Sequence, residues 1–321
     1  TEGRRRSPPC LMCPTRRRLL PPAAVVPTVM KRIALKIDVD TYRGTLTGVP
    51  ALIDLLQRHE ASASFFFSLG PDHSGRESRR LSPSRYYDLA TRLYGLLLPA
   101  PDIGARCADQ MRRASDSGFE VGVHAWNRVR WQSTAPTADS AWIEVQMTLA
   151  YRRFTGIFGQ PPHAHGAAGW RTNRHALRLT QRLGFSYASD CRGRFPFLPV
   201  IDGELVHCPQ LPTTLPTLDE LLTSGTASAE LAIEQILERS TCDAGDHVFT
   251  LRAELEGMRF LAAFEHLLLE WKQRGYQLVA LRNQIASRNI ATLPRHEVVF
   301  TELAGRSGRY MQQGPAFLQP A

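Results

Sequence analysis

The segment Lys36–Gly44, KIDVDTYRG, sets two carboxylates, Asp38 and Asp40, two residues apart at the end of an apolar run. Acids so placed at a strand end can share one site, one ligating a cation and the other taking a proton from water. The same Asp-x-Asp also occurs as a pair of loop caps. A second segment, Val121–Gln132 (VGVHAWNRVRWQ), places His124 beside Trp126 and Trp131, where the ring can be a ligand or a structural group. Asp190 and Arg252 each close a further short apolar run. The chemistry these types could share is hydrolysis by an activated water.

Such residues need strands to aim them. Ile33, Leu35 and Ile37 alternate into Asp38, and Ser64–Ser68 and Phe119–His124 read as further strands. Others are predicted at 185–189, 247–252 and 276–281. Between them the apolar spacing predicts helices at 49–59, 107–117, 139–157, 173–183, 228–239 and 259–273. Strand and helix alternate six or seven times, which predicts a parallel α/β architecture, a barrel. In such barrels the chemistry gathers where strands end, and Asp38, Asp40, His124, Asp190 and Arg252 all fall there.

The 321 residues are 43% hydrophobic and 21% charged, enough to bury a sizeable core without disulfide or metal staples. No run of eighteen apolar residues occurs, so a membrane-spanning helix is not expected. Six cysteines, at 10, 13, 107, 191, 208 and 242, suggest no disulfide framework. Of the net charge of +9, residues 1–30 carry +5, from two arginine triplets against Glu2, leaving +4 on the rest. Nucleic acid is therefore not an expected partner. Residues 1–30, rich in Pro and Arg, are expected to form a disordered tail ahead of a catalytic domain at 31–321. Their twin-arginine-like TRRRLL is broken by Pro21, Pro22 and Pro27, and Cys10 and Cys13 form an isolated pair.

Taken in order, the segments resemble the polysaccharide deacetylase (NodB-homology) family. The resemblance rests on IDVDTYRGTLTGVP (37–50), ASFFFSLGPD (63–72), GVHAWN (122–127) and AAGWRTN (167–173). SDCRGRFPF (189–197), LPTTLPTLDE (211–220), LRAELEG (251–257) and the stretch around Gly305–Gly308 extend it. These narrow it to the branch that deformylates 4-deoxy-4-formamido-L-arabinose-phosphoundecaprenol in lipid A modification, a step towards polymyxin resistance. The resemblance implies a distorted (β/α) barrel of about seven strands with one divalent metal at the strand ends. Zinc is the first expectation, with manganese, cobalt or nickel as others. Asp38 would be the base, and Asp40 and His124 metal ligands. Arg43, Trp126, Trp170, Arg171, Asp190 and Arg192 would line the sugar pocket, with Cys191 beside them.

Two positions depart from the family pattern. Arg128 stands where the resemblance implies a second metal histidine, and Arg252 where it implies the histidine acid. Arginine has no lone pair for a metal and holds its proton at working pH. Asn127, His163 and His165 are the nearby substitutes. The alternatives are therefore an impaired relative that binds the lipid-linked sugar, or a generic polysaccharide N-deacetylase. Residues 86–98 mix aromatic and leucine residues with Asp88 and Arg92, which reads as an amphipathic helix. Tyr87, Tyr94 and Leu97 are its expected membrane contacts, at the cytoplasmic face of the bacterial inner membrane.

Overall fold

The computed structural model describes residues 31–77, 86–242, 245–286, 288–302 and 308–318. The expected tail at 1–30, with Cys10 and Cys13, and Gly305 lie outside the described residues.

Alternation along β1 (Arg32–Val39) divides the interior in two. Ile33, Leu35, Ile37 and Val39 join the larger apolar core, while Ala34 packs with Phe66, Ala164, Tyr187, Leu211 and Val248. Side chains two residues apart share a face, so Lys36, Asp38 and Asp40 continue the Ala34 face inside the barrel. α1 (Val49–Arg58) carries Pro50 in its first turn and buries Leu52, Ile53, Leu55 and Leu56. β2 (Ser64–Ser68) follows, splitting Phe65 and Phe67 from Phe66 by the same alternation. Each such side chain contributes about 1.5–3 kcal/mol by leaving water.

Next come α2 (Ile103–Arg106), α3 (Ala108–Asp116), β3 (Glu120–Ala125), α4 (Arg128–Thr134) and α5 (Ser140–Phe158). The chain continues through β4 (Ala164–His165), α6 (Arg174–Arg182), β5 (Tyr187–Ala188), β6 (Leu198–Ile201) and β7 (Glu204–Leu205). It then forms α7 (Leu218–Thr223), α8 (Ala229–Cys242), β8 (His247–Arg252), α9 (Leu261–Gln273) and β9 (Gln277–Val279). α10 (Leu281–Ala286), β10 (Arg295–Glu302) and β11 (Arg309–Ala316) complete it. Asn127, Asp139, Asn173 and Thr217 cap their helices through side-chain oxygens, each cap worth about 1 kcal/mol.

Seven strands form one parallel sheet in the order β5-β4-β3-β2-β1-β8, with β9 on the first residues of β1. The extended segment 210–215 bonds to Ala188 on one side and Val248 on the other, bridging the two ends of that sheet. This is the expected distorted barrel. A second sheet, β11-β10-β6-β7, was not expected. It rests on Val298, Phe300 and Met311, which pack on the smaller core beneath α5 and α6.

The expected helix over 86–98 is absent. Apart from a single helical turn at Thr91–Leu93, the chain winds on itself, with the amides of Leu96, Leu97 and Leu98 all turned to the Leu93 carbonyl. Gly95, at φ +74°, supplies the left-handed bend that a helix cannot hold.

Two π-helical turns, Gly44–Gly48 after β1 and Leu255–Arg259 after β8, lie back to back. A Cβ at Gly257 would sit 2.7 Å from the Gly48 carbonyl oxygen, so only glycine permits the approach. It brings Asp40 and Glu254 together.

Candidate active site

Asp40 is the centre of a buried charge cluster at the C-terminal ends of β1, β3 and β8. Its Oδ1 lies 2.9 Å from Nε2 of His124 and 3.8 Å from Nε of Arg128, and its Oδ2 pairs with Nη1 of Arg252. All four side chains are buried. Arg128, aimed inward by α4, closes a two-pronged pair on Glu77 at 2.7 Å per arm and reaches Ser74 Oγ. Arg252 turns its Nε towards Asp219, 3.5 Å away. The resulting order, Glu77, Arg128, Asp40, Arg252, Asp219, alternates in sign along its length.

Asp38, one pleat deeper, holds Lys36 at 2.8 Å and lies 3.7 Å from His124 Nδ1. The ring of His124 thus stands between the two carboxylates. Lys36 is fully buried, its Nζ also 5.4 Å from the Phe66 ring centre and 6.0 Å from that of Trp170.

Burial alone would raise the Asp40 pKa, but the Arg252 and Arg128 guanidiniums and His124 hold it well below the usual carboxylate range. For both arginines burial opposes the charge, and the carboxylates outweigh it, Glu77 first for Arg128 and Asp219 first for Arg252. Glu254 is pushed well up by burial and then by the Asp40 charge, and its Oε2 lies 3.4 Å from the Asp40 amide. Glu256, pushed up to about 8 by burial, accepts the Arg252 amide.

These residues do not fit a divalent metal. Asp40 and His124 remain as donors, but Arg128 occupies the next family position and its guanidinium is committed to Glu77. Among the described residues no group of three His, Cys, Asp or Glu side chains is arranged to hold a metal. The two guanidiniums already supply positive charge around Asp40, and neither has a lone pair to donate. The substitutes are engaged elsewhere. Asn127 caps α4 and meets His73, His165 pairs with Asp190 at 2.8 Å, and His163 is exposed.

The remaining expected residues divide. Asp190 also accepts the Ala167 amide and is fully buried. Trp170, at φ +54°, bonds Thr213 through Nε1 and lies beneath the Arg192 guanidinium, 5.0 Å from it. That backbone costs roughly 1–3 kcal/mol, a kind of strain that clusters at functional sites. Arg171 is braced by the Gln132 carbonyl and stacks on Tyr310 of β11. Trp126 packs on Gly70 and under Arg153. Arg43 lines a cavity of about 280 Å³ with Tyr86, Tyr87, Glu254 and Arg259 that reaches the Asp40 cluster through Glu254.

Tyr87 corrects the membrane expectation. It is buried, with its hydroxyl 3.4 Å from Glu254, so it belongs to the site wall. Tyr94 is half-buried against Tyr42, whereas Leu97 is 77% exposed.

A profile of the polysaccharide deacetylases matches residues 26–188. The chain is 36% identical over 289 residues to the probable 4-deoxy-4-formamido-L-arabinose-phosphoundecaprenol deformylase of Shewanella sediminis, covering 86% of this chain and 93% of that one. The chain belongs to the polysaccharide deacetylase family. The protein of the same name from Wigglesworthia glossinidia brevipalpis is 30% identical, covering 83% of this chain and 96% of that one. A polysaccharide deacetylase structure from Mycobacterium smegmatis superposes with a TM-score of 0.61 at 18% identity, covering 89% of this chain and all of that one. A CE4-family pseudoenzyme from Bacillus anthracis gives 0.53 at 12%, covering 84% and 70%. These two likenesses bear on the fold alone.

Within this family of C–N hydrolases, sequence reasoning missed five charged members of the site: Lys36, Glu77, Asp219, Glu254 and Glu256. Lys36 left a signal, since it is a cation in the middle of β1 on the same face as Asp38, two residues away. Glu77 left none, because its partner Arg128 is 51 residues away.

Proposed function

We propose that the protein is a deformylase-type C–N hydrolase that recognises 4-deoxy-4-formamido-L-arabinose-phosphoundecaprenol and cleaves its formamide slowly. The observation that carries this reading is the Asp38–His124–Asp40–Arg252 cluster, built at the strand ends of a chain similar over most of its length to two probable deformylases.

The reaction adds water to the formyl carbon and releases formate and the amino sugar. Asp38 takes the water proton, and Lys36 fixes the carboxylate in place. Arg252 contributes positive charge near the developing oxyanion. The amine needs a proton to leave; arginine keeps its own, so the proton taken up by Asp38 must return to the nitrogen, directly or through water. Loss of that acid costs about 10²–10⁴ in rate. A divalent metal would polarise the formyl oxygen in the mechanism that the resemblance implies, but the residues here do not fit one.

A second reading, a relative that binds the lipid-linked sugar without cleaving it, is favoured by the Arg252–Asp40 pair. The exposed leucines 89, 96, 97 and 98 support peripheral contact with the inner membrane, where such a substrate resides. No described helix is long and apolar enough to cross a membrane.

The test is formate release from the formamido-sugar lipid, with acetamido-sugars in parallel and binding measured on the same samples. Slow formate release with selective binding supports the first reading. Binding without release selects the second. Preference for acetamido-sugars, or no binding to either, overturns both.

A further inference from the structure

A cavity of about 600 Å³ lies in the seam between the segment 192–195, the bridging residues Thr213 and Thr214, Arg239 of α8, and strands β10 and β11. Arg192, Arg194, Arg239 and His296 are among its lining residues, and no Asp or Glu lines it among the described residues. Three other cavities among the described residues each carry a carboxylate, through Asp202, through Asp88 and Glu254, or through Glu238, the last in a neighbouring cavity that shares Arg192, Thr214 and Arg239 with this one. Arg192 has a counter-ion outside the wall, Glu220 at 3.3 Å, while no carboxylate pairs with Arg194 or Arg239 among the described residues. Cations gathered without acids repel one another, so the cavity as built calls for an anion.

Buried polar atoms point the same way. His296 is 9% exposed, held edge-on by Phe195 and Phe197, and bonded through Nδ1 to the Gly314 carbonyl at 2.8 Å. Its Nε2 has no partner, nor does Nε2 of Gln313, whose Oε1 accepts the Arg194 amide. A buried polar atom left unbonded is destabilising, so each of these calls for a partner. Planar guanidiniums match phosphate oxygens two at a time. The volume far exceeds a bare ion, and Phe195 adds a 42%-exposed ring at the rim.

We propose that this cavity is a phosphate-binding site, separate from the Asp40 cluster, for a phosphate group carried on a larger molecule. Arg194 and Arg239 supply the charge that is free to meet it, and His296 and Gln313 complete the bonds. The proposal stands on the cavity alone and does not depend on hydrolysis at Asp38.

The test is titration calorimetry with inorganic phosphate, a sugar 1-phosphate and chloride at matched ionic strength, on the full chain and on Arg194→Gln/Arg239→Gln. Both substituted side chains are exposed, so the fold is expected to persist, checked by melting. Saturable phosphate binding, weakened at least about tenfold in the variant, is the expected result. Phosphate should also protect Arg194 and Arg239 of the native chain from phenylglyoxal, read by mass spectrometry. Phosphatidylcholine vesicles with and without polyprenyl phosphate identify the source. Phosphate-lipid binding that fails in the variant assigns a lipid headgroup, and binding of soluble phosphates alone assigns a free metabolite. Unsaturable binding, no protection, or full binding by the variant overturns the site, whatever the formate assay gives.

Discussion

Arg252 lays its guanidinium on Oδ2 of Asp40, the carboxylate whose other oxygen meets His124. The pair is buried, so it is held by mutual neutralisation rather than by water. Replacing one partner leaves the other charged in a medium that cannot solvate it. Arg252→Met is therefore expected to destabilise the protein by about 3–5 kcal/mol, measured by urea unfolding. Arg252→Met with Asp40→Asn should recover part of that loss. Equal loss in the single and double variants would show that packing, not charge, holds this position.

The leucines beside the small cavity offer a different test. Leu89, Leu96 and Leu97 are 71%, 57% and 77% exposed, so charging them removes little packing. Leu96→Asp with Leu97→Asp should leave the melting temperature within a few degrees and weaken sedimentation with liposomes several-fold. Unchanged partitioning would remove this face from the membrane reading.

Glu256 gives the stability a pH dependence of known sign. Its folded carboxyl is pushed up to about 8, against an ordinary 4.5. Below pH 4.5 both states hold the proton and nothing is lost. Between 4.5 and 8 the unfolded chain releases a proton that the fold retains, so stability falls as pH rises. Above 8 the penalty is constant. Glu256→Gln keeps an acceptor for the Arg252 amide and removes the titration. Its stability relative to the native chain should rise from pH 5 to pH 8 and then level off, followed by urea midpoints. A difference independent of pH would show that this carboxyl is already ionised in the fold.

The barrel was legible because its signal is local. The inward and outward faces of β1 and the apolar stripe of α1 are written in consecutive residues, and β2 and β8 fall on the boundaries expected for them. The second sheet was not, since β6 is four residues with a central Pro199 and pairs with β10, almost a hundred residues on. The aspartates and His124 could be placed at strand ends, but not what Arg128 and Arg252 do there. That depends on Glu77 and Asp219, which only the folded chain brings close. The 86–98 segment misled because its leucines carry a helical spacing, while Gly95 and the Leu93 carbonyl set the turn.

The arginines also decide the metal question, and two substitutions separate their effects. Arg128→His puts a neutral donor at the family position, but Arg252 still occupies Oδ2 of Asp40 and Glu77 loses its partner. Arg252→His frees Oδ2 and adds an imidazole at the acid position, yet leaves Arg128 beside Oδ1. Only the double variant combines two imidazoles with an Asp40 released from both guanidiniums. The native chain and the Arg252→His variant are therefore expected to carry far less than one zinc per chain after dialysis, by elemental analysis. Arg128→His should bind weakly, and the double variant should approach one per chain. Formate release should follow the same order, rising about 10²-fold or more in the double variant, because the acid returns with the metal. A native chain that retains one tightly held zinc would show that Asp40 and His124 suffice and that the guanidiniums move aside. A folded double variant that binds zinc and releases no formate would count instead against the formamide as substrate.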